Sequence, residues 1–397
     1  MSKSSSHDVI ISGGGIPGLT LALLLANADF EVALIDPAPL SHFKLKPAEG
    51  RTSALMQSSI AVLKESDIWD IASPHGEPLK ILRIIDDSLN DRNRMIETDF
   101  CASDIGLDYF GINFPNNVLR TLLAHKVTKQ RNIKLYDGWT LDSFEQGPSS
   151  VEATLSSGQI IKASLLVAAD GRESLIRKIC GIKAHIHAYG QTAITCLIDH
   201  SKSHDNISTE FHRSGGPFTL VPMPDKSSSV VWVEKDADAA RLMHLSKADF
   251  EKTLQEKTRE KLGRISLTTA PQSCPLIGLR SAALTAPRVA LMAESAHVLS
   301  PLGAQGLNLS LRDVKELATK IMEARQLGLD IGSKAVLQSY ENARRSDIMI
   351  RYAGTDGLTR FVSHNIIPLH NVRRAGLGMI SMIEPLRQIA MKQGMAV

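Results

Sequence analysis

Residues 8–36 read DVIISGGGIPGLTLALLLANADFEVALID, with a glycine-rich turn between two apolar runs. The first run, 8–12, is short and β-branched, which predicts a strand. Residues 18–27 are apolar and helix-forming, and 31–35 is again strand-like. The N-terminus is therefore predicted to form a compact βαβ unit.

The turn has the spacing Gly13-x-Gly15-x-x-Gly18, and Asp36 ends the second strand. Gly13 allows a tight turn, Gly15 lets the backbone approach a pyrophosphate at the helix N-terminus, and Gly18 lets helix and strand pack closely. Asp36 can accept hydrogen bonds from ribose hydroxyls. Glycines also serve ordinary turns, but the strand before and the helix after this motif favour a dinucleotide site.

The chain has 397 residues, 43% hydrophobic and 22% charged, which is typical of a globular protein with more than one domain. Forty-five Lys and Arg against forty-two Asp and Glu give a net charge of +3. This charge is too small for binding nucleic acid through a basic field, so we predict a small-molecule partner. The sequence has no H-E-x-x-H motif and no C-x-x-C pair, and we predict no metal site.

Two later runs resemble the first strand, 165–169 and 289–292, and each is followed closely by an acidic residue. They predict that the nucleotide-binding domain is discontinuous. Four strand-like segments indicate a mainly antiparallel second domain: 81–85, 192–198, 217–222 and 230–234. The polar turn 225–229 is predicted to join the last two as a hairpin. Ser246 and Asp249 form a capping box that predicts a helix to about Gly263, and an amphipathic helix is predicted from Leu307.

Two further motifs follow the later strands. Asp170-Gly171-Arg172-Glu173-Ser174-Leu175-Ile176-Arg177 fits D-G-x-x-S-x-x-R, which is also compatible with a helix cap. The third segment begins Ala293-Glu294-Ser295-Ala296-His297 and continues Pro301-Leu302-Gly303-Ala304-Gln305-Gly306-Leu307-Asn308 to Arg312-Asp313.

Together the three motifs resemble the ubiquinone-biosynthesis hydroxylases, a family of FAD-dependent aromatic monooxygenases. The resemblance implies that the second and third motifs contact the flavin. Glu294 replaces the family's usual Asp, which holds the ribityl chain, and Ala304 replaces a usual Gly. We expect Gly303 to supply the backbone freedom that Ala304 lacks. The implied cofactor-binding residues are Gly13, Gly15, Gly18, Asp36, Asp170, Gly171, Glu294, Gly303, Ala304, Gln305, Gly306, Leu307 and Asn308.

Two arginines have counterparts in the same family. Arg51, in Gly50-Arg51-Thr52-Ser53-Ala54-Leu55, and Arg120, in Asn117-Val118-Leu119-Arg120, are implied to lie near the flavin. Either could instead be an ordinary surface residue. His297 and Pro301 are weaker candidates for catalytic residues, since a single histidine in an apolar setting is more often structural.

The resemblance implies an α/β fold: a discontinuous Rossmann-like FAD-binding domain of the para-hydroxybenzoate-hydroxylase type, a mainly antiparallel β substrate domain, and C-terminal helices. The predicted boundaries are 1–75, 100–183 and 270–335 for the FAD-binding domain, 76–99 and 184–269 for the substrate domain, and 336–397 for the C-terminal region.

In this family NAD(P)H reduces FAD, and the reduced flavin takes up O2 as a C4a-hydroperoxide that attacks an electron-rich ring. The implied substrate is a polyprenylated phenol or quinol precursor of ubiquinone. Two alternatives remain open: a hydroxylase of a small soluble aromatic compound, and a non-catalytic accessory protein that binds a lipid or partner enzymes.

No targeting segment is evident at the N-terminus, and we expect a cytoplasmic protein. Residues 339–397 carry eight Lys and Arg against four Asp and Glu, together with many Met, Ile and Leu. This C-terminal region could rest at the inner face of a membrane or on an enzyme of the quinone pathway. The alternative is an ordinary amphipathic helix that closes the substrate domain.

Overall fold

The structure is a computed structural model that describes residues 5–87, 95–213, 215–300 and 304–363. The strands are β1 (Ser5–Ser12), β2 (Val32–Asp36), β3 (Thr52–Met56), β4 (Glu77–Leu79), β5 (Ile81–Asp86), β6 (Ile96–Cys101), β7 (Gly111–Pro115), β8 (Ile133–Asp137), β9 (Leu141–Gln146), β10 (Val151–Leu155), β11 (Ile160–Ala168), β12 (Ala184–His200), β13 (Ile207–His212), β14 (Phe218–Met223), β15 (Ser227–Lys235), β16 (Ile265–Leu267), β17 (Gln272–Ser281), β18 (Thr285–Ala286), β19 (Val289–Leu291) and β20 (His297–Val298). The helices are α1 (Ile16–Asn27), α2 (Gln57–Glu65), α3 (Trp69–Ala72), α4 (Asn116–Val127), α5 (Leu175–Ile179), α6 (Asp236–Met243), α7 (Lys247–Lys257), α8 (Gln305–Gln326) and α9 (Lys334–Ser363).

Among the described residues the strands form three sheets, and the first contains the predicted βαβ unit. Its order is β18-β19-β11-β1-β2-β8, with β10 on β11 and β9 on β10. β19, β11, β1, β2 and β8 run parallel, and Val9 pairs with both Val32 and Leu165. Val9, Ile10 and Ile11 are fully buried, as expected of a parallel strand covered on both faces. The carboxyl ends of these strands meet at one edge of the sheet.

The second sheet has the order β20-β17-β12-β15-β14-β13-β5-β6, with β16 on β12. Its pairs are antiparallel except β13 with β5, so the predicted antiparallel domain and the β14–β15 hairpin are present. The turn of that hairpin is shorter than predicted, because β15 already begins at Ser227. A third sheet, β3-β7-β4, has no counterpart in our sequence analysis.

Two predicted boundaries differ from the structure. α7 begins after Ser246, whose Oγ accepts from the Asp249 amide at 3.2 Å, but it ends at Lys257 rather than near Gly263. Arg259 and Glu260 have φ values of +51° and +60°, and left-handed residues cannot continue a right-handed helix. β17 falls within the segment 270–335 that we predicted to be nucleotide-binding, yet it pairs with β12 of the second sheet.

The long helices α8 and α9 complete the core of the first sheet. Four of the five predicted apolar positions of α8 are fully buried: Leu311, Val314, Ala318 and Ile321. The fifth, Leu307, is half-buried. The described part of the predicted C-terminal region packs into the same core, where Tyr340 donates to the Leu291 carbonyl at 3.0 Å. Residues 364–397 lie outside the described residues. Within the described ranges, every helix is too short or too polar to cross a membrane.

Candidate functional site

The glycine-rich loop after β1, residues 13–18, contacts the loop after β11. The Gly13 amide donates to the Ile35 carbonyl at 2.8 Å, and Gly13 has a φ of +117°. A Cβ at Gly13 would lie 2.1 Å from the Ala169 carbonyl oxygen, and one at Gly18 would lie 1.9 Å from the Gly13 carbonyl oxygen. Any side chain at either position would therefore push the loop or α1 away from the sheet.

Asp36 holds the same loop from the end of β2. Its carboxylate accepts from the Gly14 amide at 2.5 Å and from the Ala38 amide at 2.8 Å. Arg120 of α4 donates to Asp36 at 3.2 Å and to the Gly14 carbonyl at 2.8 Å, while its guanidinium lies 5.0 Å from the centre of the Phe43 ring. Arg120 thus lies against the first loop. Gly14, which our sequence analysis passed over, contributes both backbone groups to this cluster.

The N-terminus of α1 has a chemical environment suited to an anion. Gly15 is its N-cap residue, and no described side chain caps this end of the helix. A Cβ at Gly15 would meet only Pro17, at 3.8 Å, so the space beside the loop is open. Uncapped amides at a helix N-terminus and the helix dipole favour a phosphate group.

Asp170 lies in the loop after β11, and burial raises the pKa of its carboxyl despite the hydrogen bond from Ser174. One carboxylate oxygen accepts from the Ile176 amide at 3.2 Å. The other, Oδ1, is buried and has no hydrogen-bond partner in the part of the chain that the structure describes. Gly171, with a φ of +83°, turns the chain beside it. An unmatched acceptor here fits a hydroxyl donor of a bound cofactor.

Arg177 ends the second motif and is buried rather than solvated, with 4% exposure. It donates to the Ser295 carbonyl at 2.7 Å and to the Arg172 carbonyl at 2.7 Å. Ser174 caps α5 by accepting from the Arg177 amide at 3.0 Å. The second motif therefore does act as a helix cap, and its arginine also joins the second loop to the third.

The third loop begins with Ala293 at a φ of +56°, held by a hydrogen bond of 2.9 Å from its amide to Asp313. The next side chain, Glu294, is 48% exposed and lies 3.7 Å from Arg172 of the second loop. Ser295 donates to the Ala168 carbonyl at 2.8 Å, which fixes the third loop to the end of β11. Glu294 thus presents a carboxylate where the second and third loops meet.

The structure corrects our expectation for Ala304. This residue itself takes the left-handed conformation, with a φ of +53°, as the N-cap of α8. Gly303 and Pro301 lie outside the described residues. Of the following positions, Gln305 accepts from Arg351 at 2.8 Å, Gly306 is exposed, and Leu307 packs on the core.

Asn308 uses its whole side chain within the protein. Its Oδ1 accepts from the Met56 amide at 2.9 Å and from Ser59 at 2.7 Å. Its Nδ2 donates to the carbonyls of Ala54 at 2.8 Å and Ala304 at 2.7 Å. All four hydrogen-bonding positions of the amide are filled, so the side chain ties α8 to β3 and α2 and leaves no group for a ligand.

His297 also requires a correction, since we named it a candidate catalytic residue. Its side chain is 1% exposed, and its Nε2 lies 2.6 Å from a carboxylate oxygen of Asp313. Its Nε2 is thus paired with a protein carboxylate, unlike the unmatched Oδ1 of Asp170. His297 instead anchors β20 to α8, which is the structural role that a single buried histidine more often has.

Arg51 is exposed just before β3, and its carbonyl accepts from the amide of Asn116, the first residue of α4, at 3.0 Å. Its neighbours contact the second sheet: a Cβ at Gly50 would lie 3.2 Å from Cys196 Cα, and Thr52 donates to Ser229 at 2.9 Å. Arg51 therefore lies where the third sheet approaches the second.

The comparisons with known proteins agree with this geometry. A family model described as FAD binding domain matches residues 6–349. This chain belongs to that FAD-binding family. The predicted flavoprotein hydroxylase family, its FAD cofactor and its α/β fold are confirmed.

The relatives of this FAD-binding chain include two named hydroxylases. It is 32% identical to the ubiquinone hydroxylase UbiL of Rhodospirillum rubrum, over 98% of this chain and 89% of that protein. It is 26% identical to the 3-demethoxyubiquinol 3-hydroxylase of Escherichia coli, over 98% of both chains. The p-nitrophenol 4-monooxygenase PnpA of Pseudomonas putida has the same fold, with a TM-score of 0.81 over 98% of both chains at 17% identity.

Two polar residues at or behind the loops of this flavoprotein, Asp313 of α8 and Arg172, were not among the predicted site residues. Asp313 contacts Ala293 and His297, and Arg172 faces Glu294. Asp313 belongs to the third motif and Arg172 to the second, so the sequence could have identified both residues as candidates. It could not have identified the residues they contact, because contacts between loops that follow different strands depend on the order of strands in the sheet.

Proposed function

We propose that this flavoprotein hydroxylates the aromatic ring of a polyprenylated phenol or benzoquinol in ubiquinone biosynthesis, using NAD(P)H and O2. The observation that carries the proposal is the assembly of three loops at one edge of the first sheet, next to the point where β3 approaches the second sheet. The hydroxylase names of relatives that match nearly the whole chain support the substrate class.

The residues proposed to hold FAD are those with a suitable group at the three loops. The helix N-terminus at Gly15 suits the pyrophosphate, Asp36 suits ribose hydroxyls, and the unmatched Oδ1 of Asp170 suits a hydroxyl of the cofactor. Glu294 offers a further acceptor. The full proposed set is Gly13, Gly15, Gly18, Asp36, Arg120, Asp170, Gly171, Glu294, Ala304, Gln305 and Gly306, with Arg51 and Gly303 retained as predictions.

FAD supplies the oxygen-transfer chemistry when reduced by NAD(P)H. The chain contributes binding, orientation and exclusion of water. A small apolar cluster joins β3, β4, β14 and the N-cap of α8, and its members are Ala54, Met56, Leu79, Val221 and Ala304. An apolar wall beside the flavin loop supports an apolar ring as substrate and keeps water from the reacting atoms.

We further propose that the prenylated substrate is taken from the inner face of a membrane, with the C-terminal region as the contact. The exposed side chains Met349 (49%) and Ile350 (72%) support an apolar surface on α9. Sedimentation with vesicles tests this: binding to phosphatidylglycerol vesicles that falls at high salt is expected, and no binding to any vesicle would contradict it.

The function is tested with purified protein loaded with FAD, NADPH or NADH, and a short-chain polyprenyl phenol. We expect oxidation of the nicotinamide that depends on the phenol, and a product heavier by one oxygen atom that carries ¹⁸O from ¹⁸O2. A soluble aromatic acid serves as the comparison substrate. A Gly18→Ala variant, in which the new Cβ clashes with the Gly13 carbonyl, is the matched control without a flavin site.

Each result has a distinct meaning. Hydroxylation of the prenylated ring alone supports the proposal. Hydroxylation of the soluble acid alone would assign the scaffold to a small soluble substrate, and bound FAD without hydroxylation of either compound would favour the accessory role.

A further inference from the structure

A row of charged side chains from α8 and α9 lies behind the third loop. Asp313 of α8, with 0% exposure, accepts from Ala293 at the start of the loop and from Arg344 of α9 at 2.8 Å. Arg344 also donates to Asp347 at 2.8 Å. The beginning of the loop is therefore connected to α9 through one buried carboxylate.

The end of the same loop is connected to α9 by a second branch. Asp347 accepts from Arg351 Nε at 2.7 Å, and Arg351 Nη1 donates to the side-chain oxygen of Gln305 at 2.8 Å. Gln305 is the first residue of α8 and follows Ala304. A single guanidinium thus joins Asp347 to the N-terminal turn of α8.

The Asp347–Arg351 ion pair is partly buried, and its charges lower the pKa of Asp347. The side chain of Arg351 is 15% exposed and that of Asp347 is 25% exposed. Burial alone would raise the pKa of Asp347, but hydrogen bonds from Arg344 and Arg351 outweigh it and lower the pKa to about 2. Asp347 is therefore ionised at neutral pH, and it fixes the orientation in which Arg351 reaches Gln305.

We propose that Arg351 is a positioning residue that holds the N-terminal turn of α8, through Gln305, in the conformation that binds the flavin. Arg351 acts through Gln305 and need not touch the cofactor. The strained left-handed Ala304 precedes Gln305, so this turn needs an external restraint to stay in place. The inference rests on the FAD site and is independent of which substrate is hydroxylated.

The test compares FAD binding by Arg351→Met with that by Arg345→Met, a matched change on the same helix. The Arg345 side chain is 55% exposed, pairs with Glu341 and donates to the Ala282 carbonyl at 3.2 Å, and none of its contacts among the described residues is with the third loop. FAD is titrated into each apoprotein while flavin fluorescence is followed. We expect the dissociation constant to rise about tenfold in Arg351→Met and less than about twofold in Arg345→Met. The visible absorption bands of bound flavin should shift only in the Arg351 variant.

Two further variants separate positioning from general stability. Arg351→Lys keeps the positive charge, and it should recover part of the affinity lost in Arg351→Met. In a Gln305→Met background, Arg351→Met should cause almost no additional loss, since the contact is already absent. Thermal unfolding of each apoprotein shows whether the variant is folded. If Arg351→Met does not fold, the comparison uses Arg351→Lys in the wild-type and Gln305→Met backgrounds.

The proposal is overturned if Arg351→Met binds FAD with the wild-type dissociation constant and spectrum. It is also overturned if the Arg351 substitution weakens binding equally with and without Gln305. Because these measurements involve no substrate, a failure of the proposed hydroxylation leaves them unaffected.

Discussion

Arg177 donates a hydrogen bond of 2.7 Å to the Ser295 carbonyl and so joins the loop after β11 to the loop after β19. Its second bond, to the Arg172 carbonyl, closes the second loop on itself. This guanidinium is almost fully buried, and the Ser295 carbonyl also accepts a longer hydrogen bond, 3.2 Å, from Ser281. Arg177 thus holds the second and third loops to each other.

We expect Arg177→Met to lower the free energy of unfolding by about 3 kcal/mol, since it removes two hydrogen bonds that a buried charged group donates to the Ser295 and Arg172 carbonyls. Urea unfolding of the apoprotein measures the change. Lys178→Met is the control: Lys178 is 59% exposed and forms an exposed ion pair with Glu173, so its loss should cost less than about 0.5 kcal/mol. Equal effects of the two substitutions would contradict the role given to Arg177.

Gly18→Ala should abolish FAD binding and lower the free energy of unfolding by about 1–3 kcal/mol, because the added Cβ would lie 1.9 Å from the Gly13 carbonyl oxygen. Flavin content after purification and thermal unfolding report the two effects. At Gly354, within α9, a Cβ meets nothing within 4 Å. Gly354→Ala should therefore retain FAD and stabilise the protein by about 1 kcal/mol. A flavin-replete Gly18→Ala protein would argue against this packing.

Ala304→Gly and Ala293→Gly should each stabilise the apoprotein by about 0.5–1 kcal/mol, since both alanines have φ values above +50°. Chemical unfolding checks the sign. Ala353, exposed in α9, provides the opposite case, because Ala353→Gly loses helix propensity and should destabilise by about 1 kcal/mol. Destabilisation by all three substitutions would show that the loop alanines are not strained.

Asp347→Asn should cost about 2 kcal/mol of stability at pH 7, which follows from a pKa near 2 in the folded protein against 3.8 for the free side chain. The sign follows from the lowered pKa: the folded state favours the carboxylate, and this advantage is complete above the ordinary pKa. It is lost as the pH falls toward 2. Unfolding of wild type and variant at pH 7, 5 and 3 should give a difference that is halved by about pH 3. A pH-independent difference would exclude the ion pairs as its cause.

Much of the first sheet could be predicted from local sequence, because the Gly13–Gly18 motif and the apolar strands are contiguous and periodic. The structural roles of His297 and Asn308 could not be predicted in this way. Both lie in a motif that suggests a cofactor, yet among the described residues the His297 side chain bonds to Asp313, and the Asn308 side chain bonds to β3, α2 and the Ala304 carbonyl. The backbone conformation of Ala304 differed from the prediction for another reason. The intrinsic preference of alanine disfavours a left-handed φ, and tertiary contacts override that preference.

The pairing of Val9 with Leu165 has a consequence for the order in which the protein can fold during synthesis. β1 leaves the ribosome early, but one of its two parallel neighbours is made only after β2 to β10 have appeared. Arg344 and Arg351, whose hydrogen bonds connect α9 to the two ends of the third loop, are synthesised later still. A nascent chain can therefore form the βαβ unit first, whereas its cofactor site closes only when α9 has been made.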